Sequence, residues 1–214
     1  MAISDQAPAP ASVRQPPVAR VLLVLYLVLF VVCGIAPKAR DVWFAENLPI
    51  WIMVGFLLWL ARRQRLSTGA WLWLSVFPAL HTIGGHYTFA EVPFGLVTDT
   101  FGFERNHFDR VAHFTVGFLA YPLAEIVLRR RWVTTAVVGY LFPLFAIMAL
   151  AAAYELFEWQ YAVLGDAEAG HAVLGSQGDM WDAQKDMLAD TLGACVALVA
   201  FRMGMGRRGE RFGG

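Results

Sequence analysis

The chain has 214 residues, 58% of them hydrophobic and 16% charged, with a formal net charge of zero. A soluble domain of this size carries about 25% charged residues, so the composition excludes an ordinary soluble enzyme, and the balanced charge leaves no electrostatic footprint for nucleic acid. A mean hydropathy of +0.52 describes a polytopic membrane protein, with no internal repeat and no second domain.

Residues 1–19 are Pro/Ala-rich and polar and predict a disordered tail without a clear signal-peptide cleavage pattern. A spanning helix needs about 20 mostly apolar residues. Six stretches meet that need: 20–36, 43–61, 69–89, 109–128, 132–158 and 182–202. The second is interrupted by Glu46, and Pro143 predicts a kink in the fifth because it removes a backbone donor. The predicted fold class is therefore an all-α transmembrane bundle over residues 20–203, followed by a basic tail at 204–214. Cys33 and Cys195 each lie inside an apolar span and read as packed small hydrophobes rather than a disulfide.

The basic residues set the orientation. Twelve Lys and Arg fall on one set of connecting segments, at Arg14, Arg20, Arg62, Arg63, Arg65, the 129–131 run, Arg202 and the C-terminal tail, against five on the alternate set. The positive-inside rule then puts both termini in the cytoplasm. Seven of the eight tryptophans lie near span ends and read mostly as interfacial belt residues.

The ionisable residues collect at one depth. At 1.5 Å per residue above Arg202, Asp190, Asp186 and Asp182 stand at about 18, 24 and 30 Å. Eleven residues separate Asp190 from Arg202, too few to cross a core about 30 Å thick. The aspartates must therefore lie on the spanning part of the helix. By the same count His113 and Asp109 stand at about 24 and 30 Å, His81 and His86 at about 18 and 25 Å, and Glu155 and Glu158 at about 36 to 40 Å. The spacings Asp109–His113 and Asp182–Asp186–Asp190 are i,i+4, and Glu155–Glu158 is i,i+3, so each set shares a helix face. The other half of the membrane holds one such group, Glu125, with Arg129 at i+4 as a partner.

Ionisable groups in hydrocarbon are costly and usually mark a site. Here they predict an outward-facing His/Asp/Glu pocket. Imidazoles and carboxylates at helical spacing suit a divalent zinc, iron or manganese ion. The candidate ligands are His81, His86, Glu155, Glu158, Asp182, Asp186 and Asp190. The pocket also suits general acid–base catalysis, with His113 as base and Asp109 orienting it. A proton or cation relay is disfavoured, because the inner half offers no continuing polar path beyond Glu125. The bland alternative is a set of separate helix–helix hydrogen bonds, helped by Arg110 and Lys185 as counter-charges. "HTIGGHY" reads either as part of the site or as a helix end, with Gly84–Gly85 as a cap. His171 falls in a Gly-rich loop and reads as solvated.

The stretches "HTIGGHYTFAEVPFG", "RNHFDRVAHFTVGF", "AYELFEW" and "GSQGDMWDAQKDMLADTLGA" together resemble the YjdF-like family of bacterial inner-membrane proteins, over nearly the whole chain after residue 20. That resemblance implies a location and a helical membrane fold but no reaction. A looser similarity runs to VanZ-like membrane proteins, which are linked to the cell envelope and glycopeptide resistance. Their Asp-Lys/Arg-x-x-His pattern is met by Asp109, Arg110 and His113, and their Asp-x-x-x-Asn-x-x-Gly pattern by Asp186, Asp190 and Gly193. Asp190 stands where that group tends to have Asn, and Glu158 where a Gln is usual, so this chain carries more negative charge. The expectation is a multi-pass protein of the bacterial cytoplasmic membrane, with membrane lipids as its surroundings. It is read as an enzyme on a lipid or lipid-linked envelope substrate, with or without a metal; the alternative is a non-enzymatic transporter or scaffold. The sequence leaves the oligomeric state open.

Overall fold

A computed structural model of the chain describes residues 13–164 and 176–207. His171 and most of both predicted tails lie outside the described residues. The described elements are helices: α1 (Pro17–Gly34), α2 (Arg40–Arg63), α3 (Thr68–His86), the short α4 (Gly95–Phe101), α5 (Phe108–Val116), α6 (Ala120–Arg129), α7 (Ala136–Leu164) and α8 (Asp182–Arg207), with single 3-10 turns at Gly117–Leu119 and Ser176–Gly178. The result is a membrane helical bundle. Among the described residues, five stretches are long and apolar enough to cross a bilayer: α1, α2, the continuous Phe108–Arg129 segment, α7 and Asp182–Met205.

Local chemistry sets several boundaries. Pro17 opens α1, where its missing N–H costs nothing. The Ser67 side chain caps α3 by accepting a hydrogen bond from the Ala70 N–H at 3.1 Å. Gly102, at φ +65°, ends α4 in the left-handed conformation. The Asn106 side chain accepts from the Phe108 N–H at 2.9 Å where α5 begins. The stretch expected as a single fourth helix is divided into α5 and α6 by the 3-10 turn at Gly117–Leu119.

α3 differs from the other long helices. It has 19 residues but falls short of the five on hydropathy. It is wrapped by α1, α2, α5 and α6, so protein rather than lipid surrounds its Thr82, His81 and glycines. The helix continues through Gly84 and Gly85 to His86 and is not capped there. These glycines are contact positions: a Cβ on Gly84 would lie 2.3 Å from the Phe89 ring, and one on Gly85 would lie 3.0 Å from the Asn47 amide. Two of the expected belt tryptophans, Trp43 and Trp71, are core residues.

α8 is the keystone of the packing, touching α5, α6 and α7. Ala70, Ala120, Ala124, Ala194 and Ala197 are fully buried, a small-residue seam of the kind that lets membrane helices approach closely. The tightest point is the crossing of Gly117 and Gly193. A Cβ on Gly193 would sit 1.8 Å from the Phe114 carbonyl oxygen, and one on Gly117 would sit 2.2 Å from the Ala194 nitrogen. Only glycine fits there, and the crossing brings one face of α5 against one face of α8.

The arginine-bearing helix ends gather on one side of the bundle. Gln15 donates to the carbonyls of Ala61 and Gln64, each at 2.6 Å, and accepts from the Leu66 N–H and the Trp71 indole at 3.1 Å. Arg130 donates to the Gln64 side chain at 2.5 Å and to the Arg63 carbonyl at 3.2 Å. Buried Glu125 accepts from the Ser67 N–H at 2.7 Å and the Ser67 hydroxyl at 2.5 Å, and pairs with Arg129 at 3.0 Å.

Candidate functional site

At the opposite end, the Gly117–Gly193 crossing sets the Asp109–His113 face of α5 against the Asp182–Asp186–Asp190 stripe of α8. His113 Nδ1 lies 3.4 Å from Asp190 Oδ2, within hydrogen-bonding reach. His113 Nε2 lies 3.8 Å from Asp109 Oδ1 and 3.8 Å from Asp186 Oδ1. Asp109, His113 and Asp186 each offer a ligand atom, all within 4.8 Å of one another. Asp182, Asp186 and Asp190 are buried.

Arg110 points into the same cluster. It donates to Asp186 and to Asp182, and lies 3.4 Å from Asp179 and 3.7 Å from Asp109. Arg105 pairs with Asp179 at 2.9 Å and with Asp182 at 3.2 Å. Lys185 donates to Asp179 at 2.6 Å. Asp179 lies outside the spanning helices. The hydrogen bond from Lys185, with help from the Trp181 N–H and from Arg105, holds its carboxyl down at about 2. The buried aspartates thus have a basic cover on the side of the 3-10 turn and a histidine on the side of the bundle interior.

A second layer joins through Tyr154 on α7. Its hydroxyl donates to Glu46 Oε2 at 3.2 Å. Glu46 Oε2 also lies 3.2 Å from His81 Nε2, which is 3.0 Å from the Glu46 carbonyl as well. The Tyr154 ring faces both histidines, with centroids 6.5 Å from His81 and 6.3 Å from His113. Thr82 donates to Asn47 at 3.2 Å behind this layer. Glu155 and Glu158 sit on the same side of α7, within electrostatic reach of His113 and Asp109. α7 begins at Ala136 rather than residue 132, so these glutamates lie about 28 and 33 Å along it, lower than expected, with Glu155 near the level of Asp182.

Two carboxylate oxygens stand out. Asp190 Oδ1 and Glu155 Oε1 are buried and lack a hydrogen-bond partner among the described residues, although Asp190 Oδ1 is 3.4 Å from His113 Nδ1. Buried polar atoms are normally satisfied, so these two are available to a ligand or a shared proton.

The sequence-derived residues divide as follows. Asp109, His113, Asp182, Asp186 and Asp190 form one cluster, with Glu155 and Glu158 beside it. His81 belongs to the Glu46–Tyr154 layer. His86 stands apart, with Nδ1 on the Cys33 carbonyl at 2.7 Å. Five residues past His81, it points about 140° round the helix, toward α1. Asp190 faces His113 Nδ1, whereas Asp109, expected to orient the ring, lies on the Nε2 side. Glu46 and Tyr154 were not among the sequence candidates. Glu46 was recognisable by depth, because 16 residues above Arg62 it stands at about 24 Å, level with His113.

Beneath the cluster lies a cavity of about 460 Å³. His81, His113, Tyr154 and Asp190 line its polar end. Its walls are apolar and come from α2, α3, α5, α6 and α7.

A family model described as "Predicted membrane protein (DUF2238)" matches residues 18–207. The "Inner membrane protein YjdF" of Escherichia coli (strain K12) is 33% identical over 193 residues, covering 89% of this chain and 91% of that protein. No solved structure matches. With its several apolar helices and a match along nearly all of its length, this chain belongs to the DUF2238, YjdF-like family of multi-pass inner-membrane proteins.

Proposed function

We propose that the chain is a membrane-embedded enzyme that acts by general acid–base chemistry on a lipid or lipid-linked envelope substrate. The observation that carries this reading is His113. Its Nδ1 is directed at Asp190, and the ring opens onto a cavity with apolar walls. An Asp–His pair of this kind fixes the ring tautomer and leaves Nε2 to take or give a proton. Asp109 and Asp186, each 3.8 Å from Nε2, stabilise the imidazolium once it forms. Tyr154 and Glu46 supply a second proton-carrying pair at the same cavity. The looser likeness to VanZ-like proteins, carried by Asp109, Arg110, His113, Asp186 and Gly193, supports an envelope substrate.

The reading is tested in two membrane preparations that differ only in this protein. Their lipid extracts are compared by mass spectrometry, with His113→Ala and Asp190→Asn beside the wild type. A lipid species consumed or formed only with the wild type is the expected result. Identical profiles for wild type and His113→Ala remove the enzymatic reading.

A metal-assisted form is supported by the Asp109, His113, Asp186 trio. A zinc, iron or manganese ion there would polarise a substrate oxygen or activate water. Arg110 already holds Asp186 Oδ1, so an ion there shares that carboxylate with the guanidinium. Elemental analysis of the purified protein decides it: no metal above background, or an unchanged load in His113→Ala and Asp186→Ala, removes the ion. The scaffold reading is favoured by the Arg105–Arg110–Asp179–Asp182 network, which binds the start of α8 to α5. It predicts that Asp186→Asn leaves every function intact.

A further inference from the structure

The cavity has a shape that the acid–base reading does not use. On α2 its lining runs from Pro49 to Leu60, about 16 Å along the helix axis. That is about half of a hydrocarbon core some 30 Å thick, long enough for much of one acyl chain. α2 packs against α3, while α7 packs against α6 and α8. The cavity lies between α2 and α7. Its lining includes Phe56 on α2 and Leu150 on α7, which are 56% and 48% exposed, so it reaches the lipid-facing surface on both sides. A volume of about 460 Å³ falls within the ~300–1,000 Å³ usual for small-molecule sites.

We propose that this cavity holds one aliphatic chain of a membrane lipid, admitted sideways between α2 and α7, with a hydroxyl or amine donor at its polar end placed against Asp190 and Tyr154. Charge complementarity selects the polar end. No Lys or Arg lines the cavity among the described residues, while Asp190 lines it and keeps Oδ1 without a hydrogen-bond partner. Arg110 is engaged by Asp182 and Asp186. A donor satisfies the orphaned oxygen, whereas a phosphate placed there brings a second negative group beside Asp190 with no Lys or Arg in the lining to meet it. His113 lines the same end of the cavity. The proposal rests on the acid–base reading for what becomes of the polar end, but not for the seat of the chain.

The test uses the full-length protein in phosphatidylcholine nanodiscs. Long-chain alcohol, amine and phosphate probes of equal length, each with a photoreactive tail, are added and the adducts are mapped by mass spectrometry. The alcohol and amine are expected to label cavity residues such as Met53 and Leu150. Labelling should fall by about tenfold, a loss of ~1.4 kcal/mol in binding, in Ala151→Trp, which fills the slot from α7, and in Met53→Trp, which fills it from α2. Excess unlabelled alcohol should compete. Adducts spread over the outer face of α1 at Val24 and Val28, labelling unchanged in both Trp variants, or strongest labelling by the phosphate overturns the proposal. His113→Ala separates the two claims. Cavity labelling that persists without any His113-dependent change in lipids leaves the slot and removes the enzyme; His113-dependent turnover without cavity labelling does the reverse.

Discussion

The two ends of the bundle treat buried carboxylates in opposite ways. At the arginine end, Glu125 is matched group for group: both oxygens accept from Ser67, and Arg129 completes the set at 3.0 Å. The same contacts fix the start of α3, so this carboxylate is part of the architecture. At the aspartate end, Asp109, Asp182, Asp186, Asp190, Glu46, Glu155 and Glu158 share Arg105, Arg110 and the two histidines, and two of their oxygens have no hydrogen-bond partner among the described residues. A buried polar network contributes most to stability when every member is satisfied. One that leaves acceptors over, next to a cavity, fits the ligand site proposed above. On that proposal the comparison separates polar residues that hold helices together from polar residues that meet a ligand.

The sharpest way to break that contrast is to silence the aspartate end without disturbing the fold. Asp190→Asn keeps size and shape but removes the charge facing His113. Turnover should fall ~10²–10⁴-fold, the range for lost general acid–base catalysis, with unchanged expression and melting temperature. Loss of the folded protein instead would make Asp190 architectural, like Glu125. Next comes the crossing that builds the site. Gly193→Ala puts a methyl 1.8 Å from the Phe114 oxygen, so the cost should reach or exceed the ~1–3 kcal/mol usual for overpacking. It should be seen as a lowered melting temperature in detergent, with activity lost through misplacement of Asp186 and Asp190. The converse change is Glu125→Gln at the arginine end. It weakens charge-assisted bonds worth about 1.5–3 kcal/mol each and should lower the melting temperature by several degrees while leaving lipid turnover at low temperature unchanged. A loss of turnover there would erase the distinction between the ends.

The membrane bundle was legible because hydropathy and helix length are local properties of the chain. The level of the cluster was legible too, because 1.5 Å per residue carries Asp186, His113 and Glu46 to one depth from separate arginine landmarks. What the sequence could not give was azimuth. His86 shares the depth of His113, yet it turns to the Cys33 carbonyl, and only the packing of α3 against α1 shows which way it faces. The Gly117–Gly193 contact was hidden for the same reason: Gly193 reads only as the end of a sequence pattern and Gly117 as one residue of an apolar helix, and their meeting is a property of the crossing. Tyr154 reads as one more aromatic in an apolar helix until α2 brings Glu46 to its hydroxyl. α3 ran against the hydropathy rule because its surroundings are protein, which tolerates His81 and Thr82 where lipid would not.

The mildest prediction concerns the cover over the aspartates. Asp179 is held at about 2, first by Lys185 and then by the Trp181 N–H and Arg105, against about 3.9 for an unperturbed aspartate. Its pKa is lowered by folding, so its contribution to stability is fully present above the unfolded value and is lost as pH falls from about 4 toward 2. The melting temperature in detergent should therefore slope downward across that window, and Asp179→Asn should flatten part of the slope while leaving the curve near neutrality almost unchanged. Lys185→Met removes the largest cause and should narrow the window from its acid side. Each change should be small, because the Asp179–Lys185 pair lies at the solvent-facing edge of the network, where ion pairs contribute little. If Asp179→Asn instead collapses the fold at neutral pH, Asp179 is holding Arg105 and Arg110 over the buried carboxylates. The cover would then be as architectural as Glu125, and the line between the two ends would have to be drawn deeper, at His113 and Asp190.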